Sequence, residues 1–223
     1  APAEFYRNIE VPGIASNGTS IVAVFAYNGA VYARTWSGGS FGDPVKISTV
    51  YGDCAYATIA SNGAGYCAAW MQDDAANGRY DMYAAIHNGP SWGSSAALDD
   101  TAANPNNIRI VSGGTGYCVT WWETDMYASV YNGSWSAYQV ILSGYSPYDF
   151  SMAGNDAGLY AFVFYDSSNS IYANVFNGTT ASGVIEIDNL AGNASNPKIA
   201  SNGATFCAVW QQYDGSSYNL YAR

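Results

Sequence analysis

The chain of 223 residues is 49% hydrophobic and only 11% charged, with 17 acidic against 7 basic residues and a formal charge of -10. A field of that sign repels DNA and anionic membrane surfaces, so nucleic acid is not an expected partner. No apolar run approaches the roughly 20 residues of a membrane helix, so insertion into a bilayer is not expected either.

Gly (24) and Tyr (20) are abundant, a mix that suits short strands joined by tight turns. Self-similarity decides the fold. Ile14-Ala-Ser-Asn-Gly18 recurs as Ile59-Ala-Ser-Asn-Gly63, Ile110-Val-Ser-Gly-Gly114, Met152-Ala-Gly-Asn-Asp156 and Ile199-Ala-Ser-Asn-Gly203. The period is about 45 residues, the length of a propeller blade. We name the strands of each repeat A to D. After each strand A comes an apolar strand B: Ile21 to Phe25, Tyr66 to Trp70, Tyr117 to Trp121, Leu159 to Phe164 and Phe206 to Trp210. Strand C follows at Val31-Tyr-Ala33, Met82-Tyr-Ala84, Met126-Tyr-Ala128, Ile171-Tyr-Ala173 and Leu220-Tyr-Ala222. It runs into Ser37-Gly-Gly39, Asn88-Gly89, Asn132-Gly133 or Asn177-Gly178, and Asn-Gly between apolar runs is a strong hairpin signal. Strand D is expected at Pro44–Ile47, Ala137–Leu142 and Gly183–Ile187.

The expected fold is therefore an all-β, five-bladed β-propeller of four-stranded antiparallel blades, a single domain over 1–223. Its repeats lie near 12–50, 57–100, 108–144, 150–189 and 197–223. The fifth repeat ends after strand C, and the strand-like Glu4–Val11 is expected to complete it beside Leu220–Arg223, residues 1–11 closing the ring. The start Ala1-Pro2-Ala3 fits a trimmed secretory precursor as well as an arbitrary boundary, which leaves the compartment open between secreted and not.

The two faces of such a ring are unequal. The A–B and C–D turns are nearly uniform Asn-Gly turns, explained by turn geometry. The B–C and D–A connections vary in length and gather carboxylates and tyrosines, so function is placed on that rim. The expected ligand-binding residues are Gln72, Asp73, Trp122, Glu123, Asp125, Tyr165, Asp166, Gln212, Tyr213 and Asp214. Trp122, Tyr165 and Tyr213 are the stacking candidates, and Asp73, Asp125, Asp166 and Asp214 the hydrogen-bond acceptors. Rings stacking on apolar C–H faces while oxygens accept from hydroxyls suit a neutral carbohydrate.

Other signals read as structural. Trp70, Trp121 and Trp210 share a repeat column with Phe25 and Val163 and are expected to pack between blades; Trp122, one step on, is better exposed. Cys67, Cys118 and Cys207 share another column with Val22 and Tyr160 and read as small buried residues, while Cys54 stands alone in a D–A loop. His87, the only histidine, fills a slot held elsewhere by Trp36, Tyr131 and Phe176, so no catalytic residue and no histidine metal cage is expected. Asp73-Asp74 and Asp99-Asp100 lack the alternating pattern of calcium loops, so no cofactor is expected and calcium is only weakly indicated.

Near-identical blades of this length resemble the repeat-built propellers of the lectin type, such as the five-bladed tachylectin-like proteins. The resemblance implies sugar sites repeated from blade to blade, near or between blades; a non-catalytic binding module and a monomer are expected. Two alternatives stand beside it: a protein-interaction scaffold on the same rim, and a five-bladed glycoside hydrolase. Such hydrolases carry acid and base on inner strands, which here read Ala57-Thr-Ile-Ala60 or Ile108-Arg-Ile-Val111 without a carboxylate. Asp53, Asp100 and Asp149 lie just upstream.

Overall fold

The computed structural model describes residues 12–49, 52–73, 78–99, 103–188 and 192–223. Every regular element among them is a strand. Five antiparallel sheets, each taken up in chain order, form the blades of a five-bladed β-propeller.

The first blade runs Gly13–Ser16, Ile21–Tyr27, Ala30–Ser37, with its outer strand broken into Ser40–Phe41 and Val45–Lys46. Blade two is Cys54–Ser61, Tyr66–Asp73, Tyr80–His87 and Ala96–Ala97, and blade three is Asn106–Gly113, Gly116–Trp122, Met126–Tyr131 and Gln139–Leu142. Blade four is Asp149–Gly154, Tyr160–Tyr165, Ile171–Phe176 and Ile185–Glu186; blade five is Ala194–Ser201, Phe206–Tyr213 and Tyr218–Ala222. Among the described residues the fifth sheet has three strands, A to C. The expected clasp at Glu4–Val11 lies outside the described residues.

By compactness the chain divides into residues 1–110 with 119–123, and residues 111–118 with 124–223. Each unit has its own core. In the first, Val24, Val31, Ile47, Ile59, Tyr66 and Trp70 pack together; in the second, Val163, Ile171, Ile187, Ala194 and Trp210 do so. Period-two alternation alone would bury one face of each strand, yet strand B of blade two is buried from Tyr66 to Gln72 without a break. Both of its faces are covered, and its small residues Ala68 and Ala69 allow that approach.

Pairing corrects the sequence register in blade four. Gly154 faces Tyr160 there, as Ser61 faces Tyr66 in blade two. The aromatic column therefore continues through Phe164, opposite Tyr172 as Trp70 is opposite Tyr83, and not through Val163. Tyr160 likewise leaves the cysteine column, whose member here is Ala161. One extra residue in the turn Asn155-Asp156-Ala157-Gly158 displaces the count by one.

The Asn-Gly turns close as expected. Asn202 Oδ1 accepts the amides of Ala204 at 3.0 Å and Thr205 at 2.9 Å. Asn202→Ala is expected to destabilise the chain by about 1 kcal/mol, since it leaves those two amides to solvent. Urea denaturation at equilibrium measures this, and a loss below a few tenths would mean that water replaces the side chain at no cost.

Candidate functional site

The aromatic column explains three of the candidate residues. Trp70, Trp121 and Trp210 are buried, and each indole N–H needs an acceptor. The residue two further along the same strand supplies it: Gln72 Oε1 at 2.9 Å, Glu123 Oε1 at 2.9 Å and Gln212 Oε1 at 3.0 Å. Where the column holds Phe25 or Phe164, no N–H needs satisfying, and the corresponding residues are Tyr27 and Asp166. Gln72 and Gln212 are 0% and 1% exposed, which corrects their assignment to the ligand rim. Burial takes them away from any solute, and the indole occupies their oxygens.

Turn geometry accounts for others. Asp166 Oδ1 accepts the amide of Ser168 at 2.9 Å and its hydroxyl at 2.7 Å. Asp214 accepts the amides of Ser217 and Ser216, the Ser216 hydroxyl and the Asn219 amide group, and these bonds, the backbone ones first, hold its carboxyl down at about 2. The Tyr213 hydroxyl donates to Gly215 O at 2.9 Å while its ring tilts against Tyr218. Tyr165 packs edge-on against Tyr148, 5.6 Å between centroids. Asp73 donates its own amide to Asp53 O and is half-buried, as are Trp122, Glu123 and Asp125.

Gln72, Asp73, Trp122 and Glu123 belong to the first unit, and Asp125, Tyr165, Asp166, Gln212, Tyr213 and Asp214 to the second. None of the ten lines the cavity on strands A of the first unit or the groove of the second.

The first unit does gather carboxyls that sequence spacing did not bring together. At the exit of strand D, Ser48 Oγ, Asp99 Oδ1 and Asp188 Oδ1 accept an amide from the start of strand C, from Val31, Met82 and Ile171 respectively. The role is structural and repeats. In blade two, however, Asp99 also neighbours Glu123 and Asp81. Burial pushes its carboxyl up to about 8; the Met82 amide opposes the shift, and Glu123 and Asp81 add to it. Asp81 itself is 4% exposed, with Arg79 Nε 4.0 Å away. Among the described residues, no group of three or more His, Cys, Asp or Glu side chains is placed to hold a metal ion.

Cys54 is buried as well. Its Sγ donates to Gln72 Oε1 at 3.4 Å, and burial raises its thiol to about 11, so it is protonated at neutral pH and inert as a nucleophile. His87 sits between Tyr66 and Trp92, an aromatic in an aromatic slot.

A cavity of about 540 Å³ opens in the first unit, on strands A of the first three blades. Tyr56, Asn106, Asn107 and Arg109 line it, with Met71 and Ile108 among its apolar members. Strand A of blade two carries a bulge between Ala55 and Thr58, and a bulge re-aims the side chain it contains. That side chain is Tyr56, 58% exposed and at φ 54°. Asn107 and Asn196 hold the same left-handed position in blades three and five, at φ 49° and 54°. Asn tolerates this region, whereas an aromatic residue is strained there by roughly 1–2 kcal/mol. Among the described residues, no carboxylate lines the cavity. Sequence reading missed Tyr56 because the bulge interrupts the alternation on which it relied.

No protein-family model matches the sequence, and no curated protein does. Solved structures are similar to it in fold. A triple-arginine mutant of AofleA from Arthrobotrys oligospora gives a TM-score of 0.55 at 11% identity, covering 99% of this chain and 71% of that one. A neuraminidase-like protein from A/bat/Guatemala gives 0.54 at 9% identity over 95% and 70%. A thermostable family-43 glycoside hydrolase gives 0.50 at 9% identity over 96% and 88%.

Proposed function

We propose that this propeller is a carbohydrate-binding module that holds a glycan in the cavity on strands A of the first unit without cleaving it. One observation supports the reading above the rest: Tyr56, an exposed ring kept in a left-handed backbone position that folding alone would give to Asn or Gly. Strain of this kind persists where a site requires it. The ring offers a stacking face, and Asn106, Asn107 and Arg109 offer donors to sugar hydroxyls. Glycoside cleavage needs two carboxyls flanking the bond, and among the described residues the cavity lining has none.

A glycan array on the wild-type protein and Tyr56→Gly tests this. Glycine suits φ 54°, so the variant is expected to keep or raise its Tm while glycan affinity falls about tenfold, in line with losing one stacked aromatic. Binding that survives in full in Tyr56→Gly would remove the cavity from the assignment, and a blank wild-type array would remove the carbohydrate reading and favour a protein partner.

A glycoside hydrolase is the second reading, favoured by the pairing of Asp99, raised to about 8, with Glu123. A carboxyl that stays protonated at neutral pH is what a general acid requires. The family-43 glycoside hydrolase among the similar folds gives it a precedent. Release of aryl alcohol from chromogenic glycosides, abolished in Glu123→Gln, would establish it against the binding reading.

A further inference from the structure

Blade five carries the apolar positions that the other blades bury, and leaves them open. Val31, Met82, Met126 and Ile171 begin the strand C signature and are at most 2% exposed, whereas Leu220 at the same place is 78% exposed. Ala222 and Cys207 are exposed as well, where blade two buries Ala84 and Cys67. Arg223 and Ala208 exchange both backbone bonds at 2.9 Å, so by the alternation of an antiparallel ladder the N–H and C=O of Leu220 and Ala222 point to the other edge of strand C. Among the described residues, no strand pairs with that edge.

The other blades show what such an edge accepts. In blade one, Val45 and Lys46 pair with Ala33 and Tyr32, the Ile47 amide donates to Val31 O at 2.8 Å, and Ser48 Oγ accepts the Val31 amide at 3.1 Å. Blade two repeats this with the Leu98 amide on Met82 O at 2.7 Å and Asp99 Oδ1 accepting the Met82 amide. Blade four does so with the Ile187 amide on Ile171 O at 2.8 Å and Asp188 Oδ1 accepting the Ile171 amide. Ile47, Leu98 and Ile187 are buried. The code is an extended segment in which an apolar residue with an amide to give is followed at once by Ser or Asp. The start of this chain does not spell it. Ile47, Leu98 and Ile187 stand 12 residues before Ile59, Ile110 and Ile199, and the same count back from Ile14 reaches Pro2, followed by Ala3. Proline has no amide to donate and alanine no side-chain oxygen to accept.

We infer that blade five is a docking edge for an extended segment of a partner protein, which adds as its fourth strand, sets an apolar side chain against Leu220 and places a Ser or Asp oxygen on the Leu220 amide. In strand addition the main-chain bonds supply affinity and the alternate side chains specificity. The formal charge of -10 favours a segment poor in acids, so Val45-Lys46-Ile47-Ser48 is a better template than Ile185-Glu186-Ile187-Asp188. The inference stands apart from the glycan reading, since Leu220, Ala222 and Cys207 do not line the cavity on strands A.

A titration of the 15N-labelled protein with an acetylated and amidated peptide of the sequence Pro44–Thr49 tests this, read at the backbone amides of blade five. Saturable shifts at Leu220 and Ala222 are expected. They should weaken about tenfold when the peptide carries Ile47→Pro, which removes the donated amide and the apolar side chain together. They should weaken likewise when the protein carries Leu220→Asp, an exposed substitution whose otherwise unaltered spectrum would show that it folds. Shifts that either substitution leaves at full strength overturn the inference. A blank titration overturns it too, and two further measurements then name the occupant: a mass of two chains by light scattering assigns the edge to a second copy, and a Leu220 amide protected from hydrogen exchange in a monomer assigns it to the chain itself.

Discussion

Trp70→Ala is expected to lower stability by about 3–5 kcal/mol, the range for removing a fully buried tryptophan side chain. Trp70 is 0% exposed within the core of the first unit, against Val24, Ile47 and Ile59. Its loss costs twice over. The indole volume is left empty, and Gln72 Oε1, itself buried, loses its 2.9 Å donor and keeps only the weak Cys54 thiol at 3.4 Å. Trp70→Phe should cost less, about 1–3 kcal/mol, because Phe25 and Phe164 already fill this slot in other blades. Its cost should also fall when Gln72→Leu is added, because the orphaned oxygen is then gone. Urea titrations of Trp70→Ala, Trp70→Phe, Gln72→Leu and the Trp70→Phe/Gln72→Leu double variant measure both effects. A loss under about 1 kcal/mol for Trp70→Ala would show that the column is a packing convenience and not the pillar of its blade.

That column shows how far the sequence carries. The repeat alone marks the five blades, since a period of about 45 residues with Asn-Gly turns admits few other folds. It also holds the Trp-x-Gln or Trp-x-Glu pairing, which was legible at Trp70, Trp121 and Trp210 once each buried indole was asked for an acceptor. Asp166-Ser-Ser-Asn and Asp214-Gly-Ser-Ser were legible as turn formers too, because a short carboxylate two or three residues before backbone amides caps its own turn. What spacing could not reveal is convergence. Asp81, Asp99 and Glu123 come from strand C, the exit of strand D and the following blade, and only their packing makes them neighbours. Tyr56 was hidden for another reason: a bulge shifts the alternation by one residue, and a reading that assumes unbroken pleating assigns the ring to the wrong face.

Asp99→Asn is expected to stabilise the protein at alkaline pH and to leave it unchanged below about pH 4. The folded carboxyl titrates near 8 against an ordinary value of 3.8, so between those limits the folded state holds a proton that the unfolded chain has released. Stability must therefore decline as pH rises across that window, being fully present below the lower value and lost as the pH passes the upper one. Asparagine keeps an oxygen for the Met82 amide, removes the ionisation, and turns a repulsive neighbour of Glu123 into a donor. The gain grows by at most about 1.4 kcal/mol for each pH unit crossed inside the window, and local relaxation around the carboxyl reduces the total to about 2–5 kcal/mol at pH 9. Tm measured from pH 4 to 9 for both proteins is the test: two curves that coincide at low pH and diverge steadily toward pH 9 are expected. Parallel curves would mean that Asp99 is ionised in the folded state, and the general-acid role in the hydrolase reading would fall with it. Diverging curves without any glycoside cleavage would leave Asp99 as a turn acceptor that has acquired acidic neighbours, a structural position of blade two and not a catalytic one.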